Sequence, residues 1–214
     1  MQKLSNYILE KLKIDKDSKI PYKYQPKDKW ELKEVLRKCM YERGNDADLN
    51  DIDVSQITDM EGLFDEFKSL PSKCEPKNIN ISKWDVSHVN NMDNMFKDLH
   101  EFNCDLSKWN VSKVEDFHST FYGCKNFNSD LSKWDVSSAK TIQTMFADCE
   151  NFESDLSDWN VENLKEASGA FIGCTKLDFN IDTWNPKNLY DVTMWNMFKD
   201  SGFKKLPKWY KKYK

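Results

Sequence analysis

The chain has 214 residues, and its 32 lysines and arginines are outnumbered by 36 aspartates and glutamates, which gives a net charge of −4. This balance argues against a dedicated nucleic-acid-binding protein, because such proteins are usually basic. Aromatic residues make up 14% and charged residues 32% of the sequence, so the chain is too aromatic for a disordered protein and too polar for a membrane protein.

The start of the chain predicts neither secretion nor membrane insertion. The first 30 residues contain no apolar run that could serve as a signal segment or a transmembrane span. No cysteine is placed for lipid attachment after such a run. We therefore expect a cytoplasmic protein, with the virion and the cell surface as the alternatives.

Residues 1–45 do not repeat, and we expect them to form a mainly helical N-terminal capping region. Asp28 and Glu31 predict a capping box for a helix that ends at Gly44. The residues predicted to share the apolar side of this helix are Trp30, Val35, Leu36, Cys39 and Met40. A stack of repeats needs an end piece that covers its first core face. The alternative is a separate partner-binding domain.

The main feature of residues 46–198 is a spacing of 25 residues between tryptophans, which continues once beyond them. The tryptophans at this spacing are Trp84, Trp109, Trp134, Trp159, Trp184 and Trp209. An earlier turn has Ile52 in the tryptophan position, and seven extra residues before Trp84 predict an insertion at 71–78. Such an insertion is either a loop on the binding side or a tolerated surface loop. Large side chains that recur at a fixed interval indicate stacked repeats.

Two apolar patterns coexist within each repeat. Residues 106–111 end in strict alternation, which is typical of a short strand. Residues 114–124 carry apolar side chains three or four positions apart, which is typical of one helical face. One strand and one short helix cannot bury their apolar faces alone, but a stack of such units can. The sequence therefore predicts an α/β solenoid of about six strand-plus-short-helix turns, in which the tryptophans form one stacked column.

Three of the six cysteines obey the same period. Cys124, Cys149 and Cys174 share one repeat position, where Leu99 stands in an earlier turn. A position that accepts leucine as well as cysteine favours packing over chemistry. We expect these thiols to be buried and unpaired.

The repeat resembles two known patterns. Leu-x-x-Trp-x-Val-x-x-Val is similar to the strand segment of a leucine-rich repeat, with tryptophan in the position of the second leucine. The phrase ISKWDVSHVNNMDNMF at residues 81–96 more closely resembles the BspA-like leucine-rich repeat surface proteins, a lipoprotein-associated repeat family of mycoplasmas and gut bacteria. That resemblance covers roughly residues 46–198 and implies a leucine-rich-repeat-like solenoid used for adhesion or protein binding. A member without a signal or lipid anchor also fits a phage-encoded relative.

Residues 199–214 form a basic tail, in which lysines crowd at Lys204, Lys205, Lys208, Lys211, Lys212 and Lys214. One interpretation is a solvated C-terminal cap that protects the last edge of the stack. The alternative is a contact with an anion or a nucleic acid.

Polar residues flank each tryptophan, and we expect them to line the concave face of the solenoid and bind a protein partner. The candidate partner-binding residues are Lys83, Asp85, Lys108, Asn110, Lys133, Asp135, Asp158 and Asn160. The alternative is that they only keep the surface soluble. Metal binding by Asp85 and Asp135 is less favoured, because Asn110 and Asn160 interrupt their column and lower its charge.

No catalytic motif is present: the sequence lacks HExxH, GxSxG, a P-loop and GxGxxG, and its three histidines form no recognisable constellation. We therefore expect no enzyme, no cofactor and no metal. The leading hypothesis is a protein-binding solenoid that acts through its concave sheet face and its insertion loop. The alternatives are a structural component of a virion or surface layer, and anion or nucleic-acid binding through the tail. A monomer is favoured.

Overall fold

The computed structural model describes residues 22–69 and 75–211. Five helical elements appear in this part of the chain: α1 (Lys29–Arg43), α2 (Lys208–Lys211) and three short 3₁₀ helices at Asp65–Ser69, Ile181–Thr183 and Asp191–Met194. The described residues contain no strand longer than an isolated parallel bridge. The structure does not describe residues 1–21 of the predicted capping region, residues 71–74 of the predicted insertion or residues 212–214 of the predicted tail.

Helix α1 follows its sequence signals at both ends. The backbone N–H of Glu31 donates to Asp28 Oδ1 at 2.9 Å, and Gly44 ends the helix with a positive φ of 81°. The Glu31 side chain reaches back to the N–H of Lys27 rather than to that of Asp28. Val35, Leu36, Cys39 and Met40 are buried as predicted. The prediction for Trp30 is wrong, because this side chain is 75% exposed.

The buried side chains form one core that runs from Tyr24 to Tyr210 and includes the inner side of α1. The predicted tryptophan column is present in part: five of its six tryptophans stack on a neighbouring tryptophan, whereas Trp134 contacts Phe117 and Phe121 instead. Trp84 and Trp109 stack at 6.5 Å between ring centroids, Trp159 and Trp184 at 6.2 Å, and Trp184 and Trp209 at 6.4 Å. A second column of phenylalanines lies against the first one; its members in the described residues are Phe64, Phe96, Phe121, Phe146, Phe171 and Phe198.

Each column tryptophan also joins two repeats through its indole N–H. Trp134 Nε1 donates to the carbonyl of Leu106 at 3.0 Å, and Trp159 Nε1 donates to that of Leu131 at 2.9 Å. The other four column tryptophans make the equivalent bond. A buried indole needs such an acceptor, because an unpaired N–H would lose its hydration without compensation. This requirement fixes the register of successive repeats.

The predicted α/β solenoid of strand-plus-short-helix turns is wrong. Around Trp109 the backbone N–H groups bond within the repeat, as in Trp109 to Leu106 at 3.0 Å and Val114 to Val111 at 2.9 Å. These bonds close turns. Because the N–H groups are used inside the repeat, they do not form a sheet with the neighbouring repeats.

The predicted helix is replaced by a ladder between repeats. The N–H groups of Phe117, Ser119, Phe121 and Gly123 donate to carbonyls of the following repeat at 2.8–3.1 Å. Phe96 and Phe121 stack at 5.4 Å, whereas packed helices need 8–10 Å between their axes. A helix in every repeat would force these rings apart. The close stacking of the core therefore excludes the helix, and the backbone finds its partners in the next repeat.

The cysteine column is buried, as predicted. Cys124, Cys149 and Cys174 form no disulfide within the described residues, and their Sγ atoms donate to main-chain carbonyls of the preceding repeat at 2.9–3.0 Å. Burial raises the pKa of the Cys149 thiol well above its usual value and also raises the pKa of Cys174. Both shifts lower the fraction of reactive thiolate at neutral pH.

We expect the five described cysteines to resist a disulfide reagent such as dithiobisnitrobenzoate. In a Cys74→Ser variant at pH 8, labelling should be on the order of a thousandfold slower than in denaturant, because it requires opening of the core. Timed absorbance measurements in buffer and in urea give the two rates. Rapid labelling of Cys149 and Cys174 in buffer would show that this column is not closed.

Candidate partner-binding surface

All eight predicted partner-binding residues are exposed, and they form two columns on either side of the tryptophan column. We call these eight residues the polar face. The first column contains Lys83, Lys108, Lys133 and Asp158, and the second contains Asp85, Asn110, Asp135 and Asn160. Because the tryptophans between the columns are stacked in the core, the polar side chains follow one another at a regular spacing.

The second column has a structural task that the sequence analysis missed. The side-chain oxygen of each member accepts a hydrogen bond from the backbone N–H two residues later. The distances are 3.0 Å for Asp85 and Ser87, 3.2 Å for Asn110 and Ser112, 3.0 Å for Asp135 and Ser137, and 3.2 Å for Asn160 and Glu162. This is the Asx turn, which either Asp or Asn can form. The alternation of the two residue types in this column therefore has a local cause.

Charge differs between the two columns. A hydrogen bond from the Ser87 side chain is the largest influence on the Asp85 carboxyl group, and its pKa is lowered from the usual value. Asp85 is thus ionised at neutral pH. Lys133 and Asp158 approach each other to 3.6 Å, but both are largely exposed, so their attraction is weak in water. The polar face presents separate positive and negative charges to solvent.

The predicted concave sheet face is not present, because the described residues contain no sheet. Stacked tryptophan rings are 6.2–6.5 Å apart and stacked phenylalanine rings of the second column are 5.4–5.9 Å apart. The polar face therefore flanks a column of rings rather than a sheet.

The described part of the insertion, residues 75–78, is attached to its surroundings. Lys77 and Asn78 donate backbone hydrogen bonds to the carbonyl of Asn45, and Lys77 Nζ lies 2.9 Å from Glu101. In the tail, Lys204 pairs with Asp178 at 2.8 Å. One lysine of each segment is thus already paired within the chain.

The structure also brings together three residues that the sequence analysis did not connect. His118 Nδ1 lies 2.8 Å from Asp93 Oδ1, and Ser119 Oγ lies 3.3 Å from His118 Nε2. Asp93 and His118 both stand nine residues after a column tryptophan, and this shared position is the signal that could have revealed the contact. Burial is the largest influence on the Asp93 carboxyl group and raises its pKa.

Asp93, His118 and Ser119 are linked in the order acid, base and nucleophile, but the geometry of the group does not fit acyl transfer. Ser119 is only 4% exposed, and its hydroxyl is also bonded to Thr144 at 2.8 Å. The N–H groups of Ser119 and Thr120, which could stabilise an oxyanion, already donate to the carbonyls of Gln143 and Phe117. The group connects neighbouring repeats.

A family model described as "Mycoplasma protein of unknown function, DUF285" matches this chain over residues 30–140 and again over residues 108–209. Together the two matches span residues 30–209 of the 214. The chain belongs to the DUF285 family. No curated protein and no solved structure matches it. The two matches overlap at residues 108–140, as expected when one family model matches an internally repeated chain in two registers.

Two further observations concern the chemistry of this DUF285 protein. Within residues 22–69 and 75–211, no group of three or more His, Cys, Asp or Glu side chains could hold a metal ion. In the same part of the chain, no helix is both long and apolar enough to cross a membrane.

Proposed function

We propose that this DUF285 protein binds another protein through the polar face and has no enzymatic activity of its own. The observation that supports this proposal is the regular exposure of eight polar side chains on a closely packed core. A rigid base reduces the entropy lost on association, because the side chains are held in place before the partner arrives. The mixture of positive and negative side chains on the polar face favours specificity and the correct orientation of the partner more than it favours affinity.

The resemblance to BspA-like surface repeat proteins supports the same proposal, since it implies adhesion or protein binding. DUF285 itself carries no stated function. We accordingly propose an interaction role of the BspA-like kind, in which the Asx turns hold the second column and the lysines of the first column contact the partner. The described part of the insertion is tied to Asn45, so it adds a fixed rather than a mobile contact at one end of the face.

The test is a comparison of charge variants that keep the fold. Lys83→Glu, Lys108→Glu and Lys133→Glu together should reduce capture of a partner from the native source at least tenfold, because like charges placed opposite each other cost several kcal/mol. Asp85→Asn with Asp135→Asn should weaken capture less, because Asn keeps the Asx turn and removes only the charge. Quantitative mass spectrometry of the captured proteins is the measurement.

The matched control is the triple reversal Lys27→Glu, Lys165→Glu and Lys176→Glu, which changes exposed lysines outside the polar face. It alters net charge by the same amount, so it separates a local contact from a general electrostatic effect. Near-ultraviolet circular dichroism of the tryptophans checks that each variant is folded. Equal capture by the two triple variants and the original chain would refute the proposed role of the polar face.

A further inference from the structure

The hydrogen-bond ladder between repeats ends with unpaired donors at Asn196, Phe198 and Asp200. In every inner repeat the residues at these three positions donate to the following repeat. The last complete set is Gly169 to Trp195 at 2.9 Å, Phe171 to Met197 at 2.9 Å and Gly173 to Lys199 at 3.0 Å. No acceptor for the N–H groups of Asn196, Phe198 and Asp200 lies within the described residues. We call these three groups the donor edge.

The chain that follows covers the core beside the donor edge but not the edge itself. The rings of Phe203, Trp209 and Tyr210 pack on the side chain of Phe198 at centroid distances of 5.1, 6.3 and 5.0 Å. The N–H of Gly202 donates back to Cys174 at 2.9 Å, so the backbone turns away after residue 200. The apolar end of the core is thus covered, whereas the three backbone donors beside it have no partner within the described residues.

Apolar side chains stand next to the donor edge. Trp195 is 69%, Tyr190 is 61% and Val192 is 80% exposed, although large apolar side chains are mostly buried elsewhere in the described chain. Trp195 occupies the repeat position that Ser168 and Gln143 fill in inner repeats, as the hydrogen bonds from Gly169 and Thr144 show. Among the described repeats, only the one that carries the donor edge has a tryptophan at this otherwise polar position. Exposed apolar patches of this kind mark interaction sites.

The charge around the donor edge is positive. From Tyr190 to Lys211 the chain carries five lysines and two aspartates, Asp191 and Asp200, which gives a net charge of +3 (five minus two). Lys204 is paired with Asp178, while Lys199, Lys205 and Lys208 are exposed. A partner with acidic side chains would gain from this field.

A second copy of this chain does not fit the donor edge. Two identical edges related by a two-fold axis would place donors against donors. The opposite end of the stack begins at the repeat of Ile52, and there α1 is fixed alongside Asp59 and Glu66 through Lys29 and Arg37. A head-to-tail contact would have to displace this helix.

We propose that the donor edge binds an extended, acidic segment of a partner protein. Alternate carbonyls of the segment accept hydrogen bonds from Asn196, Phe198 and Asp200, an apolar side chain packs on Trp195, and carboxylates face the lysines. Inner repeats already bind one another in this way, and addition of a strand to an open edge is a common mode of peptide recognition. This site is separate from the polar face and does not depend on it.

The edge itself can be examined by amide hydrogen exchange. In the free protein, the amides of Asn196, Phe198 and Asp200 should exchange at least a hundredfold faster than those of Gly169, Phe171 and Gly173, because only the second set is hydrogen-bonded. Equally slow exchange of both sets would mean that the edge is already paired, and it would overturn the proposal.

Binding is tested with a synthetic peptide of residues 139–150 in which Cys149 is replaced by Ser. In the fold, carbonyls of this segment accept ladder bonds from the preceding repeat, for example Gln143 from Ser119 at 2.9 Å. The peptide should shift and protect the amides of the donor edge. A Lys140→Glu version should bind at least threefold more tightly, and a version with Asp148→Lys and Glu150→Lys more weakly. Absence of binding, or shifts elsewhere, would overturn the proposal.

The decisive variant removes the Phe198 donor; the same ester also weakens the Met197 carbonyl, which accepts from Phe171 inside the stack. Ligation of residues 1–173 to a synthetic segment that starts at Cys174 gives the full chain with an ester in place of the Phe198 amide. The loss of one hydrogen bond should weaken peptide binding on the order of fivefold. An ester at Lys205, whose N–H has no acceptor in the described residues, is the control. Equal affinities of the two esters would overturn the proposal, while charge variants of the polar face should leave this binding unchanged.

Discussion

Replacement of Trp134 by alanine is expected to lower the free energy of unfolding by about 3–5 kcal/mol, the usual cost of removing a buried aromatic side chain. The Trp134 ring lies in the middle of the stack, is 3% exposed and contacts Phe117 and Phe121 at 6.0 and 6.2 Å between centroids. Its Nε1–H also supplies one of the bonds between repeats. Urea unfolding followed by circular dichroism gives the change.

The matched control for this experiment is Trp30→Ala. Trp30 lies on the outer side of α1 and is 75% exposed, so its removal leaves no cavity and should change stability by less than about 0.5 kcal/mol. The two variants remove the same side chain and differ only in where it lies. A loss at Trp134 no larger than that at Trp30 would contradict the buried tryptophan column.

The 25-residue spacing was sufficient to predict which side chains share a column, because a stack repeats its core positions at the period of its sequence. It could not predict the backbone between them. The apolar pattern of residues 114–124 is the same for a helix and for the observed ladder of turns. The distinguishing signal lies in other positions: Asn94, Asp98 and Gly123 have positive φ values of 54°, 59° and 72°. Asn, Asp and Gly adopt that conformation most readily and are poor helix formers. Ser119 and Thr144 adopt it as well, with φ values of 50° and 48°, and their residue types give no such signal.

The sequence correctly predicted that the polar face is exposed, but it did not predict the Asx turns that the second column forms. Each residue of the second column accepts a hydrogen bond from the backbone N–H two residues later. The sequence signal for this turn is an Asp or Asn two positions before a Ser, as in Asp85-Val86-Ser87. The donor edge could not be predicted from sequence, because it depends on where the backbone ladder ends. No residue type reveals an unpaired N–H. The exposed Trp195, which departs from the polar residues at its repeat position, is the only trace of it in the described sequence.

Glycine and aspartate alternate at one repeat position, and this alternation limits which repeats can be neighbours. Asp98, Gly123, Asp148 and Gly173 follow one another in this column, all with positive φ. A Cβ atom added at Gly123 would lie 2.9 Å from Asp98 Oδ1, and one added at Gly173 would lie 2.6 Å from Asp148 Oδ1. The aspartate side chain thus fills the space above the glycine of the next repeat. Two aspartates in succession would clash and repel each other.

Removal of one whole repeat should therefore be tolerated at one place and costly at another. Deletion of residues 135–159 joins Trp134 to Asn160 and places Gly173 after Gly123, so we expect a folded chain with one cooperative unfolding transition. Deletion of residues 110–134 also removes 25 residues but places Asp148 directly on Asp98. Because overpacking costs about 1–3 kcal/mol, this second variant should be less stable than the first by about 2 kcal/mol.

A third deletion, of residues 135–162, tests whether the repeat is the structural unit. It leaves the joined repeat three residues short and removes the buried Val161, so that the apolar residues after the junction no longer meet their columns. We expect this chain to lose its near-ultraviolet tryptophan signal and its cooperative transition. Unfolding of all three deletion variants at the same urea concentration would contradict a core built from stacked 25-residue units, since only the two 25-residue deletions preserve every column.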